Sequence, residues 1–148
     1  MQTSRLQSYR DLRVWQQGME LVEIIYHLTD RFPKKEQFGL SSQMQRAAVS
    51  IPSNIAEGYT RTHRKEYLQH LAIAQGSLAE LETQIEISYR LKYSEKDSYG
   101  QAMNMAVSLA KQLYTLRTSL TKPPLTPYPL PLTHVSRNCR KYRSWKIY

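Results

Sequence analysis

The sequence predicts an all-α protein: an antiparallel up-and-down four-helix bundle over residues 9–120, followed by a disordered C-terminal tail over residues 121–148. Apolar residues recur at helical spacing in four separate segments. No segment shows the alternation with a period of two that is typical of strands. The connections between the four segments are short, which favours antiparallel neighbours.

The first helix is expected to begin at Ser8 or Asp11, since either side chain can cap exposed backbone N–H groups. It carries two apolar stripes, more than one neighbouring helix would cover. We predict that one stripe fills the core and that the other forms an oligomer interface, because a lone bundle would expose it to water. The core stripe contains Trp15, Met19, Val22 and Tyr26. The interface stripe contains Val14, Leu21, Ile25 and Leu28.

The second helix is predicted to start between Glu36 and Ser42. Pro52 lies inside its apolar pattern and cannot donate a hydrogen bond to the carbonyl of Ala48. Because the pattern continues beyond the proline, we expect a kink rather than an end. Gly58 is predicted to adopt the left-handed conformation that closes this helix.

The third and fourth helices have alternating steps of three and four residues between apolar positions, as in near-parallel helix packing. The third runs through Leu68, Leu71, Ala74, Leu78, Leu81 and Ile85. The fourth runs through Tyr99, Ala102, Ala106, Leu109, Leu113, Leu116 and Leu120. Thr60 or Thr62 can cap the third helix, and Ser94 with Asp97 resembles a capping box for the fourth.

The positive charge is distributed unevenly. Residues 1–120 carry fifteen Lys and Arg against twelve Asp and Glu, whereas residues 121–148 carry six Lys and Arg and no acid. Five prolines within residues 121–134 predict an extended spacer. Cations and aromatic rings alternate beyond it: Arg137, Arg140, Lys141, Tyr142, Arg143, Trp145 and Lys146. This composition suits single-stranded nucleic acid, an anionic membrane surface, or a tail that is merely solvated.

Composition also indicates the compartment. Cys139 is the single cysteine, so no intrachain disulfide can form, which fits a reducing environment. Residues 1–15 have no apolar stretch of the kind that a signal peptide needs. No segment approaches the roughly 20 apolar residues needed to span a bilayer. We therefore expect a soluble cytoplasmic protein.

Signatures of metal binding or catalysis are weak. Di-iron bundles use Glu and His three residues apart on facing helices, but Glu66 and His70 are four apart and no second pair follows. No serine or cysteine lies in a recognisable nucleophile motif. Cys139 is most simply an incidental free thiol, although basic neighbours can lower a thiol pKa. The sequence predicts no metal, no cofactor and no enzymatic activity.

Polar residues interrupt the apolar pattern of the second and third helices. They are Arg46, Asn54, Glu57, Arg61, Ser77, Glu80 and Glu82. Buried charges need partners, because desolvating one alone costs several kcal/mol. These residues are therefore predicted to form an ion-pair network that fixes helix register. A ligand or partner site is the alternative interpretation.

Several segments resemble one known family. They are Tyr9–Gln16, Phe32–Lys34 with Phe38–Leu40, Gln43, Arg46–Gly58 with Arg61, and Leu71, Ile73–Ala74, Gly76–Leu78 and Glu80–Glu82 in the third helix. They are similar to the four-helix-bundle proteins encoded in intervening sequences of bacterial 23S ribosomal RNA genes. That family is related to the accessory variability determinant of diversity-generating retroelements.

The resemblance implies a function that residue patterns alone do not give. Bundles of this family assemble as pentameric barrels, and its retroelement members bind nucleic acid and a reverse transcriptase. The resemblance therefore implies a homo-oligomeric, non-enzymatic accessory factor: a pentamer that binds RNA or DNA, with a reverse transcriptase as a candidate protein partner. The alternative is a structural scaffold that binds a protein partner without nucleic acid.

Overall fold

The computed structural model describes residues 7–121, and over that range it is all-α, as predicted. Its four helices are α1 (Arg13–Thr29), α2 (Leu40–Tyr59), α3 (Arg64–Arg90) and α4 (Lys96–Thr121). Two 3₁₀ turns, Tyr9–Asp11 and Lys34–Glu36, precede α1 and α2. The expectation of a disordered tail concerns residues that, apart from Thr121, lie outside the described range.

Contacts between helices show that consecutive helices run antiparallel. The middle of α1 meets the middle of α2 where Gly18 faces Pro52, and the end of α1 meets the beginning of α2 where the Gln45 side chain donates to Thr29 Oγ1 at 2.8 Å. Gln112 of α4 donates to the side chain of Gln17, which closes the bundle. The α2–α3 contact is the most extensive and the α1–α4 contact the least.

The two ends of the bundle differ in what they hold. One end holds the beginning of α1, the α2–α3 connection and the end of α4. Because residues 122–148 follow directly from it, we call it the tail end, and we call the other end the opposite end. At the opposite end lie the α1–α2 and α3–α4 connections.

The predicted capping residues Ser8 and Asp11 cap a 3₁₀ turn and not α1 itself. Ser8 Oγ accepts from the backbone N–H of Arg10 at 3.3 Å, and Asp11 Oδ2 accepts from the N–H of Ser8 at 3.0 Å. This reciprocal arrangement is a capping box. The α-helix begins only after Leu12, which has an extended backbone.

The assignment of the two α1 stripes was wrong. Val14, Leu21, Ile25 and Leu28, predicted to form an oligomer interface, are buried in the core of the single chain. In contrast, Met19 is 39% exposed and Tyr26 44% exposed. The physical reason lies in Gly18, which shares the buried face and lets α1 approach Pro52 of α2. Tyr26 and Trp15 lie at the side, where a polar group of an aromatic ring can reach water.

The helix α2 continues through Pro52, as predicted, but Gly58 does not close it as predicted. No residue of the described chain other than Lys92 has a positive φ, so Gly58 is not left-handed. It is buried inside α2, which ends one residue later. A Cβ on Gly58 would lie 2.7 Å from the Cβ of His70. Gly58 is therefore required by the close approach of α3.

The other two predicted caps differ from the structure as well. The residue before α3 is His63, which makes no side-chain capping bond. Ser94 Oγ lies 3.1 Å from Ser88 Oγ, joining the end of α3 to the connection before α4. The end of α3 is closed by Lys92, whose φ of 59° is left-handed, while the Tyr93 N–H bonds to the Ser88 carbonyl.

Candidate functional site

A chain of polar side chains, which we call the polar seam, follows the contact between α2 and α3. Its members are Ser50, Asn54, Glu57, Arg61, His70 and Ser77. Ser50 Oγ lies 2.8 Å from Ser77 Oγ, and Asn54 Nδ2 donates to the Ser50 carbonyl at 2.8 Å. A carbonyl can only accept, so this bond fixes the orientation of the Asn54 amide.

The orientation of Asn54 also assigns the tautomer of His70. Asn54 Oδ1 lies 3.2 Å from His70 Nδ1, and an amide oxygen can only accept. The proton of neutral His70 is therefore on Nδ1. Its Nε2 faces the Glu57 carboxylate at 3.8 Å, and Glu57 also accepts from Arg61, which lies just after the end of α2.

The charged part of the seam is not buried, contrary to the expectation of a buried ion-pair network. The side chains of Glu57 and Arg61 are 51% and 45% exposed. Their ion pair joins the last turn of α2 to the connection that follows it, at the surface, where exposed pairs contribute about 0.2–1 kcal/mol. The half-buried amide, hydroxyl and imidazole groups of Asn54, Ser50 and His70 carry the contact between the helices instead.

Three predicted members, Arg46, Glu80 and Glu82, do not join the seam. Arg46 is exposed, and the carboxylate of Glu80 accepts from Gln84 on its own helix at 3.0 Å. Glu82 is partly buried on the side of α3 that faces α4. The structure thus brings together Asn54, Glu57, Arg61 and Ser77.

Sequence reasoning missed the roles of Ser50 and His70 in the seam. Ser50 precedes Asn54 by four residues and Glu57 by seven, so all three lie on one face of α2. His70 precedes Ser77 by seven residues on α3. This shared heptad spacing is the signal that could have identified both, but His70 was considered only as a metal ligand.

The seam has no metal-binding or nucleophilic arrangement in the part of the chain that is described. No group of three or more His, Cys, Asp and Glu side chains between residues 7 and 121 could hold a metal ion. Glu66 and His70 therefore gain no third ligand there. The histidine of the seam contacts Asn54 and Glu57, and neither seam serine bonds to it.

The tail end of the bundle is rich in cations. Its basic residues are Arg10, Arg13, Arg61, Arg64, Lys65, Lys111 and Arg117, and its acidic residues are Asp11, Glu57 and Glu66. A groove of about 480 Å³ opens there between the beginning of α1 and the second half of α4. Leu12, Val14 and Leu116 line it together with the cations Arg13 and Lys111.

The predicted nucleic-acid-binding residues of the tail lie outside the described residues. They are Arg137, Arg140, Lys141, Tyr142, Arg143, Trp145 and Lys146. The chain enters this segment directly from the tail end, because α4 ends at Thr121. Among the described residues, the candidate site for nucleic acid therefore consists of the basic residues at the tail end.

A carboxylate with two donors lies toward the opposite end, between α3 and α4. Glu86 accepts from Arg90 Nε at 2.7 Å and from the hydroxyl of Tyr99 at 2.8 Å. The bond from Arg90, and next the bond from Tyr99, hold the pKa of Glu86 below its ordinary value. The same bond to Glu86 raises the pKa of Tyr99, whose ring stacks on Tyr89 at 4.3 Å between centroids.

None of the helices within residues 7–121 is long and apolar enough to cross a membrane.

Comparisons with known proteins place this bundle among its relatives. No curated protein matches the sequence. Among solved structures, the chain is similar to a Bacteroides thetaiotaomicron protein described as having unknown function and coming from the S23 ribosomal protein family. The two are 24% identical with a TM-score of 0.67, over 71% of this chain and 95% of that chain. This likeness supports the bundle fold.

The family comparison covers more than the fold. The family described as 23S rRNA-intervening sequence protein matches residues 10–115. This range begins before α1 and reaches into the second half of α4, so it includes all of α2 and α3 and the whole polar seam. The chain therefore belongs to the family of 23S rRNA-intervening sequence proteins.

Proposed function

We propose that this protein is a non-enzymatic, homo-oligomeric accessory factor that binds nucleic acid at the tail end of its bundle. The observation that carries the proposal is the position of the positive charge. Seven basic residues lie at the tail end against three acidic ones, and six further basic residues follow within residues 122–148. Cations that neutralise phosphates release counterions, which drives sequence-independent binding.

The charges in the middle of the bundle also favour binding of nucleic acid at the tail end. Its middle carries Glu20, Glu23, Glu80 and Glu82 but only one cation, Arg46. An acidic middle repels a polyanion, whereas the basic end attracts it, so the field of the protein directs nucleic acid to the tail end. The pattern of Tyr142, Trp145 and neighbouring cations favours unpaired bases, because aromatic rings stack on them.

The family description suggests the class of nucleic acid to test first. It names 23S rRNA, so RNA is our first candidate, with DNA as the comparison. The resemblance to retroelement accessory proteins adds a reverse transcriptase as a candidate protein partner. A pentamer is likewise proposed from the resemblance.

A scaffold that binds a protein partner without nucleic acid is the second candidate. Phe38 favours it, since this side chain is 90% exposed in the α1–α2 connection. An exposed aromatic ring is a typical anchor in protein interfaces. A scaffold of this kind would bind its partner through the opposite end and would show no affinity for RNA or DNA.

A gel-shift experiment with single- and double-stranded RNA and DNA separates the two candidates. We expect Arg13→Glu combined with Lys65→Glu to weaken binding by about tenfold or more, because both cations lie at the tail end. The matched control is Lys34→Glu with Lys35→Glu, which changes the charge equally at the opposite end. Binding that is absent for the native chain, or weakened equally by both pairs, would contradict the proposal.

A further inference from the structure

The contact between α1 and α4 is the least extensive in the bundle, and the groove of about 480 Å³ at the tail end lies along it. We call this opening the tail-end groove. The side chains of Leu12, Val14 and Leu116 line it, and Leu116 is only partly buried. A concave surface lined by apolar side chains is typical of a binding site, so the groove suits an occupant with apolar side chains of its own.

Cations accompany the apolar lining of the tail-end groove. Arg13 of α1 and Lys111 of α4 both line it. Neither belongs to any of the salt bridges among residues 7–121. Both side chains donate hydrogen bonds and cannot accept them. The groove therefore favours an occupant that carries hydrogen-bond acceptors and no positive charge.

The Pro-rich spacer that follows α4 has this chemistry. Residues 123–133 contain all five prolines of the spacer and no charged side chain. A proline has no N–H but keeps its carbonyl acceptor, and a polyproline II helix makes no hydrogen bonds of its own. The carbonyls of such a segment are therefore free to accept from Arg13 and Lys111 in the tail-end groove.

The spacing of the apolar residues in the spacer matches the length of the groove. A polyproline II helix has three residues per turn, so Leu125 and Tyr128 lie on one edge, about 9 Å apart. Lys111 and Leu116, which mark the groove along α4, are five residues and thus about 8 Å apart. One turn of the spacer therefore spans the groove.

The connection from α4 is long enough for the chain to turn back into the groove. Because α4 ends at Thr121, its end lies about 8 Å beyond Leu116 along the helix axis. Leu125 follows Thr121 by four residues, which can span at most about 14 Å. Leu125 can thus reach Leu116 after a turn, and Tyr128 then lies toward Lys111.

Charge distinguishes this segment from the other parts of the chain that lie outside residues 7–121. Residues 1–6 contain Arg5 and no acid, and residues 137–148 contain five basic residues and no acid. Both would bring further positive charge to Arg13 and Lys111, and like charges placed together oppose binding. The neutral part of the spacer brings none.

We propose that residues 124–128 dock in the tail-end groove of their own chain. Leu125 contacts the apolar lining, and the ring of Tyr128 lies beside Arg13 and Lys111, where cations favour the face of an aromatic ring. The cost in entropy is low, because the segment is already attached to the bundle and its prolines restrict its unbound conformations. This contact goes beyond the proposed function, since it forms without nucleic acid.

NMR of the full chain without nucleic acid tests the contact. We expect nuclear Overhauser cross-peaks between the Tyr128 ring and the methyl groups that line the groove. Leu125→Ser should abolish these cross-peaks and shift the same methyl signals, because it removes the side chain that anchors the turn. Leu130→Ser with Leu132→Ser is the matched control: it removes two leucines of the spacer beyond the docked turn and should leave the cross-peaks in place. Both variants leave residues 7–121 unchanged, so circular dichroism should show the same helices.

Each other occupant of the groove gives a different result. Cross-peaks that join an isotope-labelled chain to an unlabelled one would assign the groove to a second copy. Methyl signals that respond to Leu6→Ser but not to Leu125→Ser would assign it to residues 1–6. If Tyr128 shows no cross-peak and single-stranded RNA shifts the groove methyl signals, the groove binds nucleic acid instead. Any of these results, or Tyr128 cross-peaks that Leu125→Ser leaves intact, would overturn the inference. The gel shift of the native chain separately decides the proposed function.

Discussion

The α2 backbone at Gly58 lies directly against His70 of α3: a Cβ added to Gly58 would be 2.7 Å from the Cβ of His70. The ring of Tyr67 would be only 2.8 Å from the same position. Real Cβ atoms do not tolerate such contacts, so the two helices can approach this closely only with glycine at this position. The approach also brings His70 within reach of Asn54 in the polar seam.

Gly58→Ala should therefore destabilise the fold. A better helix former gains about 1 kcal/mol in a helix interior, but the forced separation of α2 from α3 should cost about 1–3 kcal/mol. We expect a net decrease in the free energy of unfolding, measured by urea denaturation. Gly76→Ala is the matched control, because nothing apart from its chain neighbours and the backbone of its own helix lies within 4 Å of a Cβ there, and it should gain up to about 1 kcal/mol. Equal gains for both variants would show that α3 does not require glycine at position 58.

Leu21→Ala tests the corrected assignment of the α1 stripes. Leu21 is fully buried, so its truncation should cost about 2–5 kcal/mol of unfolding free energy through reduced burial and the cavity left behind. Met19→Ala on the exposed stripe should change stability by less than about 1 kcal/mol. Thermal unfolding of both variants gives the comparison, and a reversed order of the two effects would place Met19, and not Leu21, in the core.

Asn54→Ala tests the polar seam. The substitution leaves the Nδ1–H of His70 without its partner and removes the second, side-chain bond to the Ser50 carbonyl, so it should cost about 1–3 kcal/mol. Ser53→Ala is a suitable control, because Ser53 is exposed and bonds only to a carbonyl of its own helix. If the two variants unfold at the same urea concentration, the seam contributes nothing specific to the contact between α2 and α3.

The bonds around Glu86 predict a dependence on pH. Its folded-state pKa is lowered, so the contribution of this carboxylate to stability is present above the unfolded pKa and is lost as pH falls through the folded value. Arg90→Gln should raise the pKa of Glu86 most, since the bond from Arg90 is the largest cause. Tyr99→Phe should raise it less. NMR titration of the Glu86 carboxyl measures all three proteins, and a pKa unchanged by either substitution would contradict the assigned cause.

The sequence predicted the helices better than it predicted which of their faces are buried. Period and turn residues located the four helices, because apolar spacing and chain breaks are local properties. On α1 the stripes of Leu21 and Met19 are adjacent on the helix surface, so the period cannot decide between them. The choice is made by Gly18 against Pro52, a contact between residues far apart in sequence.

The same limit applies to Gly58 and to the polar seam. Glycine near a helix end is compatible with a left-handed cap and with a close helix contact, and only the position of α3 distinguishes them. Asn54 and Ser77 were identified as polar members of a contact because they interrupt apolar patterns. The tautomer and partners of His70 depend on the register between α2 and α3, which no local pattern specifies.

The salt dependence of nucleic-acid binding tests the proposed function most directly. The full chain should be compared with a chain that ends at Thr121, where α4 ends, by fluorescence anisotropy with single-stranded RNA across a series of salt concentrations. Truncation removes six basic residues and no acidic ones. We expect the truncated chain to bind more weakly, and the slope of log affinity against log salt to fall by about 0.7 for each phosphate that is no longer neutralised. Equal affinity and equal slope for the two chains would contradict a role for the C-terminal segment, and absence of binding by the full chain would contradict the proposed function itself.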